Sequence, residues 1–188
     1  ERLLRKQKAP GSNPGESTVP MKHEIRDLAP LAGVFAIVVV STATVSLVRS
    51  EFGTMAIGRT FMSAFFLTFG GFKLYNLEGF REAFREYDVL AERSDTYASV
   101  YPFLEVGLGL LYAYLLVNDP VPLQILTHSA AILMMSINAA GVLNELRKGN
   151  ELQCACLGNV FNVPMTKVTL VEDLLMASMA AWMLISVL

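Results

Sequence analysis

The run Ala29-Pro30-Leu31-Ala32-Gly33-Val34-Phe35-Ala36-Ile37-Val38-Val39-Val40-Ser41-Thr42-Ala43-Thr44-Val45-Ser46-Leu47-Val48 decides the fold. No charged residue falls between Asp27 and Arg49. At 1.5 Å per residue, about twenty helical residues cover about 30 Å, the thickness of a bilayer's hydrocarbon core. The β-branched run Val38-Val39-Val40 suits a soluble helix poorly, but here apolarity outweighs propensity.

Four more apolar segments follow. The second runs from about Met55 to Leu74, with Arg59 near its start and Lys73 at its end, placed to snorkel. Its Gly70-Gly71 pair predicts close helix packing. The third runs from about Tyr97 to Val117 and carries Glu105; Asn118-Asp119-Pro120 then turns the chain. The fourth, about Val121 to Leu146, carries His128 and Asn138, and the fifth runs from after Pro164 to Leu188. Thr169-x-x-Glu172 has capping-box spacing, and Thr166 is an equally good N-cap.

Residues 77–93 differ in kind. Phe80, Phe84, Tyr87 and Ala91 recur at helical spacing, while Glu78, Arg81, Glu82, Arg85, Glu86 and Asp88 cover the other face. This predicts a short amphipathic helix, lying on the membrane surface or packed under the bundle.

Composition agrees with a membrane protein. The chain is 53% hydrophobic and 17% charged, against about 25% charged in soluble domains. Its net charge of -2 offers no basic field for nucleic acid. Residues 1–28 have linker composition around Ala9–Gly15 and read as a flexible cytosolic tail or linker. They do not read as a signal peptide, because no apolar core follows Arg2, Arg5, Lys6 and Lys8 before Pro10. Residues 29–188 form the transmembrane domain. The expected fold is an all-α polytopic membrane helix bundle with five crossings and the short interfacial helix.

Lysine and arginine placement predicts orientation. The tail, the 77–93 segment and the loop after the fourth helix hold most of these residues. The N-terminus and that loop are therefore expected in the cytoplasm, within a plasma (inner) membrane.

The loop carries Gln153-Cys154-Ala155-Cys156-Leu157-Gly158, with the chain's two cysteines. Paired thiols have two chemistries open to them: disulfide exchange with a partner, or capture of a soft ion such as Cu(I) or Hg(II) as thiolates. Lys148, Lys167 and the Thr166 helix start would favour thiolate. Leu157-Gly158 and Val160-Phe161 offer an apolar strip to seat the loop against the bundle. By depth, Lys73, Glu105, Asn138, Glu172 and Asp173 all fall in the half of the bilayer nearer the thiols. Glu105 lies about 12 Å deep. Charges there are costly unless paired, so these residues are expected to face inward, with Lys73 pairing Glu105 or Glu172. That cluster either supports the chemistry or only locks helices together. His128 reads as a packing residue. Met134, Met135, Met176, Met179 and Met183 read as core filler in preference to a copper path. No hydrolase triad, phosphate loop or haem site is present.

Several of these residues also carry a resemblance. They are Gly71-Phe72-Lys73-Leu74, Tyr101-Pro102-Phe103-x-Glu105, and Cys154-Ala155-Cys156-Leu157-Gly158-x-Val160-Phe161-Asn162-x-Pro164-Met165-x-Lys167-Val168-Thr169-x-x-Glu172-Asp173. They resemble the MauE branch of the DoxX-like, redox-associated membrane proteins over roughly residues 55–188. The resemblance implies a four-helix core with the first segment as an addition. It also implies a place in methylamine utilisation, assisting maturation of a disulfide-rich dehydrogenase subunit. The Cys-Ala-Cys-Leu-Gly form resembles relatives that carry a heavy-metal-associated domain ahead of the membrane part. The partner implied is thus a thiol-redox or heavy-metal-associated protein or fused domain. A functional role carries over to Cys154 and Cys156 alone. Redox support, heavy-metal transfer and a structural membrane partnership all remain open at this point.

Overall fold

The computed structural model describes residues 29–148, 155–157 and 167–188. Among them are six helices and no strand. They are α1 (Ala29–Arg49), α2 (Thr54–Tyr75), α3 (Leu77–Phe84), α4 (Asp95–Tyr114), α5 (Val121–Lys148) and α6 (Lys167–Ile185). A single 3-10 turn, Ala155–Leu157, lies between α5 and α6. The 1–28 tail lies outside the described residues, as do Cys154, Gly158, Val160, Phe161 and Thr166.

Among the described residues, four stretches are long and apolar enough to cross a membrane: Ala29–Arg49, Thr54–Tyr75, Val121–Lys148 and Thr169–Val187. α4 is of similar length but less apolar, because Asp95, Glu105, Pro102 and four tyrosines interrupt it. The outward faces suit lipid: Val40, Leu47, Leu126, Leu133, Val171 and Ile185 are all exposed. In lipid no hydrophobic force drives helices together, so close packing and internal polar contacts must hold the bundle.

α2 and α4 show how this is done. They run antiparallel, with Gly70 against Val106 and Gly109 against Leu67. A Cβ added at Gly109 would lie 2.8 Å from Leu67 Cγ, and one at Gly70 would lie 2.9 Å from Val106 Cγ2. Only glycine admits that approach. Ser63 Oγ adds a hydrogen bond to the Gly109 carbonyl at 2.9 Å. Gly71 takes no part, since its added Cβ would meet nothing within 4 Å. The core between helices is aromatic and sulfur-rich. Phe65 stacks on Phe69 with centroids 4.4 Å apart, and Met176 and Met183 are fully buried beside them.

The amphipathic face of residues 77–93 is correctly placed but differently built. Phe80, Phe84, Tyr87 and Ala91 are all buried, packed against Tyr101, Ala98 and Ala155 at one end of the bundle. Protein, not lipid, covers that face. Asn76 separates α3 from α2 by accepting a hydrogen bond from the Gly79 N–H at 3.2 Å. The helix stops at Phe84, and a chain of turns continues to Ser94. Asp88, expected on the solvated face, is instead buried. Its Oδ1 accepts from the N–H groups of Leu90 and Ala91 at 2.9 and 2.8 Å. Such side-chain-to-backbone bonds compete with helix continuation. Thr169 is not a cap, because α6 already runs from Lys167.

Candidate functional site

Sequence depth put Lys73, Glu105, Asn138, Glu172 and Asp173 at one level, and the fold brings them around one small cavity. Lys73 sits near the end of α2 and Glu105 in the middle of α4. The α2–α4 approach at Gly70 brings their side chains together, Nζ to Oε1 at 2.5 Å. Both are buried, so Lys73 does not snorkel. Its ammonium also lies 5.2 Å from the Tyr101 ring centroid and 5.5 Å from that of Phe80, over their faces. From the other side, Asn138 of α5 donates through Nδ2 to Asp173 Oδ2 of α6 at 2.8 Å. Glu172, the neighbouring α6 residue, completes the lining.

The cavity holds about 20 Å³, enough for about one water. Glu105 Oε2, Asn138 Oδ1 and Glu172 Oε1 are buried without a hydrogen-bond partner among the described residues. Three carboxylates therefore face a single ammonium. Neutrality of the cluster calls for two more positive charges, as bound protons or a cation.

Two members escaped the sequence reading. Tyr87 was placed only as an apolar-face residue, yet it lines the cavity. Its hydroxyl is hydrogen-bonded to the backbone of Ala155. Burial, and then the nearby carboxylates of Asp173, Asp88 and Glu105, push its ionisation well above the usual tyrosine value, so it stays a neutral hydroxyl. Thr169, read as a possible cap, also lines the cavity. The signal for Tyr87 was available: it is the one hydroxyl on an otherwise apolar stripe.

The Tyr87 contact connects the cluster to the cysteine loop. Ala155 and Leu157 are fully buried, and they flank Cys156 in the turn. Ala155 packs with Phe80, Phe84 and Tyr87, and Leu157 with the core that contains Leu31 and Phe65. Cys154 lies outside the described residues, and of Cys156 only the turn backbone is described. Lys148, expected to favour a thiolate, is engaged by Glu145 at 2.6 Å.

A second polar group occupies the opposite end of the bundle. Arg59 bonds the Leu115 carbonyl at 3.0 Å, Gln124 Oε1 at 2.7 Å and Asp119 Oδ1 at 2.8 Å. His128 Nδ1 lies 3.1 Å from the Tyr112 hydroxyl and is packed among helices, as its setting suggested.

An all-helical bundle with four apolar spans and an ionic cluster sealed at one end defines a multi-pass integral membrane protein. The particular family follows from residues 52–186, which match the model of methylamine utilisation protein MauE. That match spans well over half of the chain, which therefore belongs to the MauE family. No curated protein and no solved structure matches the chain.

Proposed function

We propose that this protein supports thiol–disulfide maturation of a partner, with Cys154 and Cys156 as the exchanging pair and the buried cluster as its proton reservoir. The observation that carries the reading is the hydrogen bond between Tyr87 and the Ala155 backbone. It ties the Cys-x-Cys loop to the cavity of Lys73, Glu105, Glu172 and Asp173. Disulfide exchange moves two thiol protons for each bond made or broken, and a neutral hydroxyl beside a carboxylate cluster is a fitting route for them. The bent backbone at Ala155 also supports it, because residues two apart in an extended chain lie near the upper limit for a bridge. The family's description as a methylamine-utilisation protein supports a place for this chemistry in that process.

In this reading α4 is a fifth crossing. It lies antiparallel along α2 from the Lys73–Glu105 pair to the Arg59–Leu115 contact, so both helices traverse the same depth. The charge bias supports an inner-membrane location with the N-terminus in the cytoplasm. The same bias favours a second reading, transfer of Cu(I) or Hg(II), since cytoplasmic thiols are kept reduced.

Trapping mixed disulfides tests the proposal. Cys154→Ser and Cys156→Ser should each capture or lose the partner, and the double variant should lose no more function than either alone. Clearly additive losses overturn a paired site. Metal sensitivity of the cells that tracks both cysteines, without any mixed disulfide, selects the metal reading.

A further inference from the structure

Three helices each bring one oxygen without a donor to the same small space. Glu105 Oε2 from α4, Asn138 Oδ1 from α5 and Glu172 Oε1 from α6 are buried and have no hydrogen-bond partner among the described residues. All three residues line the cavity of about 20 Å³, which has room for about one water. Both carboxylates are sealed from solvent, Glu105 at 1% exposure and Glu172 at 8%. The nearby donors are engaged elsewhere: Lys73 holds Glu105 Oε1, and the Asn138 amide nitrogen holds Asp173 Oδ2. A buried acceptor without a donor is costly, and a charged one more so, so the space calls for a positive occupant. It also lies near the membrane boundary. Lys73 is two residues from the end of α2, and Glu172 is five residues into α6, about 8 Å from its start.

We propose that this cavity binds one alkali cation, sodium or potassium, through Glu105 Oε2, Glu172 Oε1 and the Asn138 amide oxygen, in exchange for a proton. Oxygen ligands suit a hard cation. The charge count suits a single one: three carboxylates and one ammonium need two more positive charges, and the ion supplies one while a proton supplies the other. Entry of the ion therefore releases one proton, and charge balances. A divalent ion would supply both charges. However, Ca²⁺ takes about six to eight oxygens, and Mg²⁺ an octahedron that includes its own waters. Three oxygens around room for one water offer neither cage. Among the described residues no three Asp, Glu, His or Cys side chains are arranged to hold a metal ion on their own, so the Asn138 amide is a necessary ligand. The titratable groups that face the space are Lys73 from α2, Tyr87 from the turns after α3, Glu105 from α4, and Glu172 and Asp173 from α6. The three carboxyl groups are the ones that trade a proton for the ion. Cation binding here does not depend on the thiol exchange proposed above.

The test uses the full chain in detergent and choline chloride, with sodium or potassium chloride added at constant ionic strength. At least one of the two ions should raise the unfolding temperature saturably, and choline should not. In weakly buffered solution, filling the site should release about one proton per chain. The apparent dissociation constant should climb by up to about tenfold for each unit that the pH is lowered, because protons compete for the same oxygens. Asn138→Ala removes a ligand but no charge, and should weaken binding by about tenfold or more; Glu172→Gln should do the same. Glu78→Gln, at an exposed position on α3, should change neither affinity nor proton release. The unvaried chain is decisive even where a variant fails to fold: sodium and potassium indistinguishable from choline, with no proton released, overturn the proposal. Unweakened binding in both Asn138→Ala and Glu172→Gln overturns it too. If neither ion binds while Cys154 and Cys156 still form mixed disulfides, the cation site falls and the thiol reading stands. If an ion binds with proton release and no mixed disulfide forms, the cation site stands and the thiol reading falls.

Discussion

Lys73 and Glu105 form an ion pair that lipid makes expensive to break. Removing one partner strands the other charge, at a cost of about 3–5 kcal/mol. Glu105→Ala should therefore destabilise the protein strongly, whereas Glu78→Ala, on an exposed position, should change stability by less than about 0.5 kcal/mol. The double variant Lys73→Met/Glu105→Leu should recover most of the loss, because an apolar pair of similar volume carries no desolvation penalty. Denaturation in detergent across this cycle checks all three. Asp88 and Tyr87 make a further prediction about pH. Burial raises Asp88 above its ordinary value of 3.8, against the lowering effect of the Ala91 and Leu90 N–H groups. The folded state thus holds this proton more tightly than the unfolded chain. Stability is greatest below 3.8 and falls as pH climbs through the folded value. Asp88→Asn keeps an acceptor for the Leu90 and Ala91 N–H groups and should flatten that slope. Tyr87 acts the same way from 10.0 upward, so alkaline destabilisation should weaken in Tyr87→Phe.

Between elements, glycine contacts decide which helices touch. Gly109→Ala forces a methyl onto the Leu67 side chain and backbone, and should cost about 1–3 kcal/mol. Gly107→Ala meets nothing within 4 Å and should be silent, which makes it the matched control for thermal unfolding measurements. The helices themselves were legible from the chain: each predicted apolar segment lies within a few residues of an observed helix. The segment at 77–93 was legible only in part. Its 3.6-residue apolar spacing correctly named the buried side chains. Helical spacing alone does not reveal that Asp88 will turn inward and bind the backbone, because that depends on the cover supplied by α4 and α5. Gly141 shows that cover directly, since an added Cβ there would lie 2.6 Å from the Tyr87 carbonyl oxygen.

For the whole molecule, the charge bias makes a topological prediction. An impermeant maleimide added to intact cells should miss Cys154 and Cys156, and should label both after permeabilisation. Labelling from outside would invert the orientation and put the pair in an oxidising compartment, where exchange with secreted proteins is favoured.

The sequence by itself determined a helical membrane bundle, the shared level of its ionisable residues and the family. These are local properties: apolar run length, position along a helix, and a motif read residue by residue. It also narrowed the partner of Lys73 to Glu105 or Glu172, because a buried charge at that depth must find an opposite one nearby. Tertiary structure chose Glu105, through the glycine approach of α2 and α4. It alone joined Asn138 to Asp173, brought Tyr87 to Ala155, and set Glu172 in the wall of the same cavity. Those relations depend on the rotation of each helix about its axis. In a chain apolar on every side, hydrophobic periodicity carries little of that rotation, and packing of small against large residues settles it.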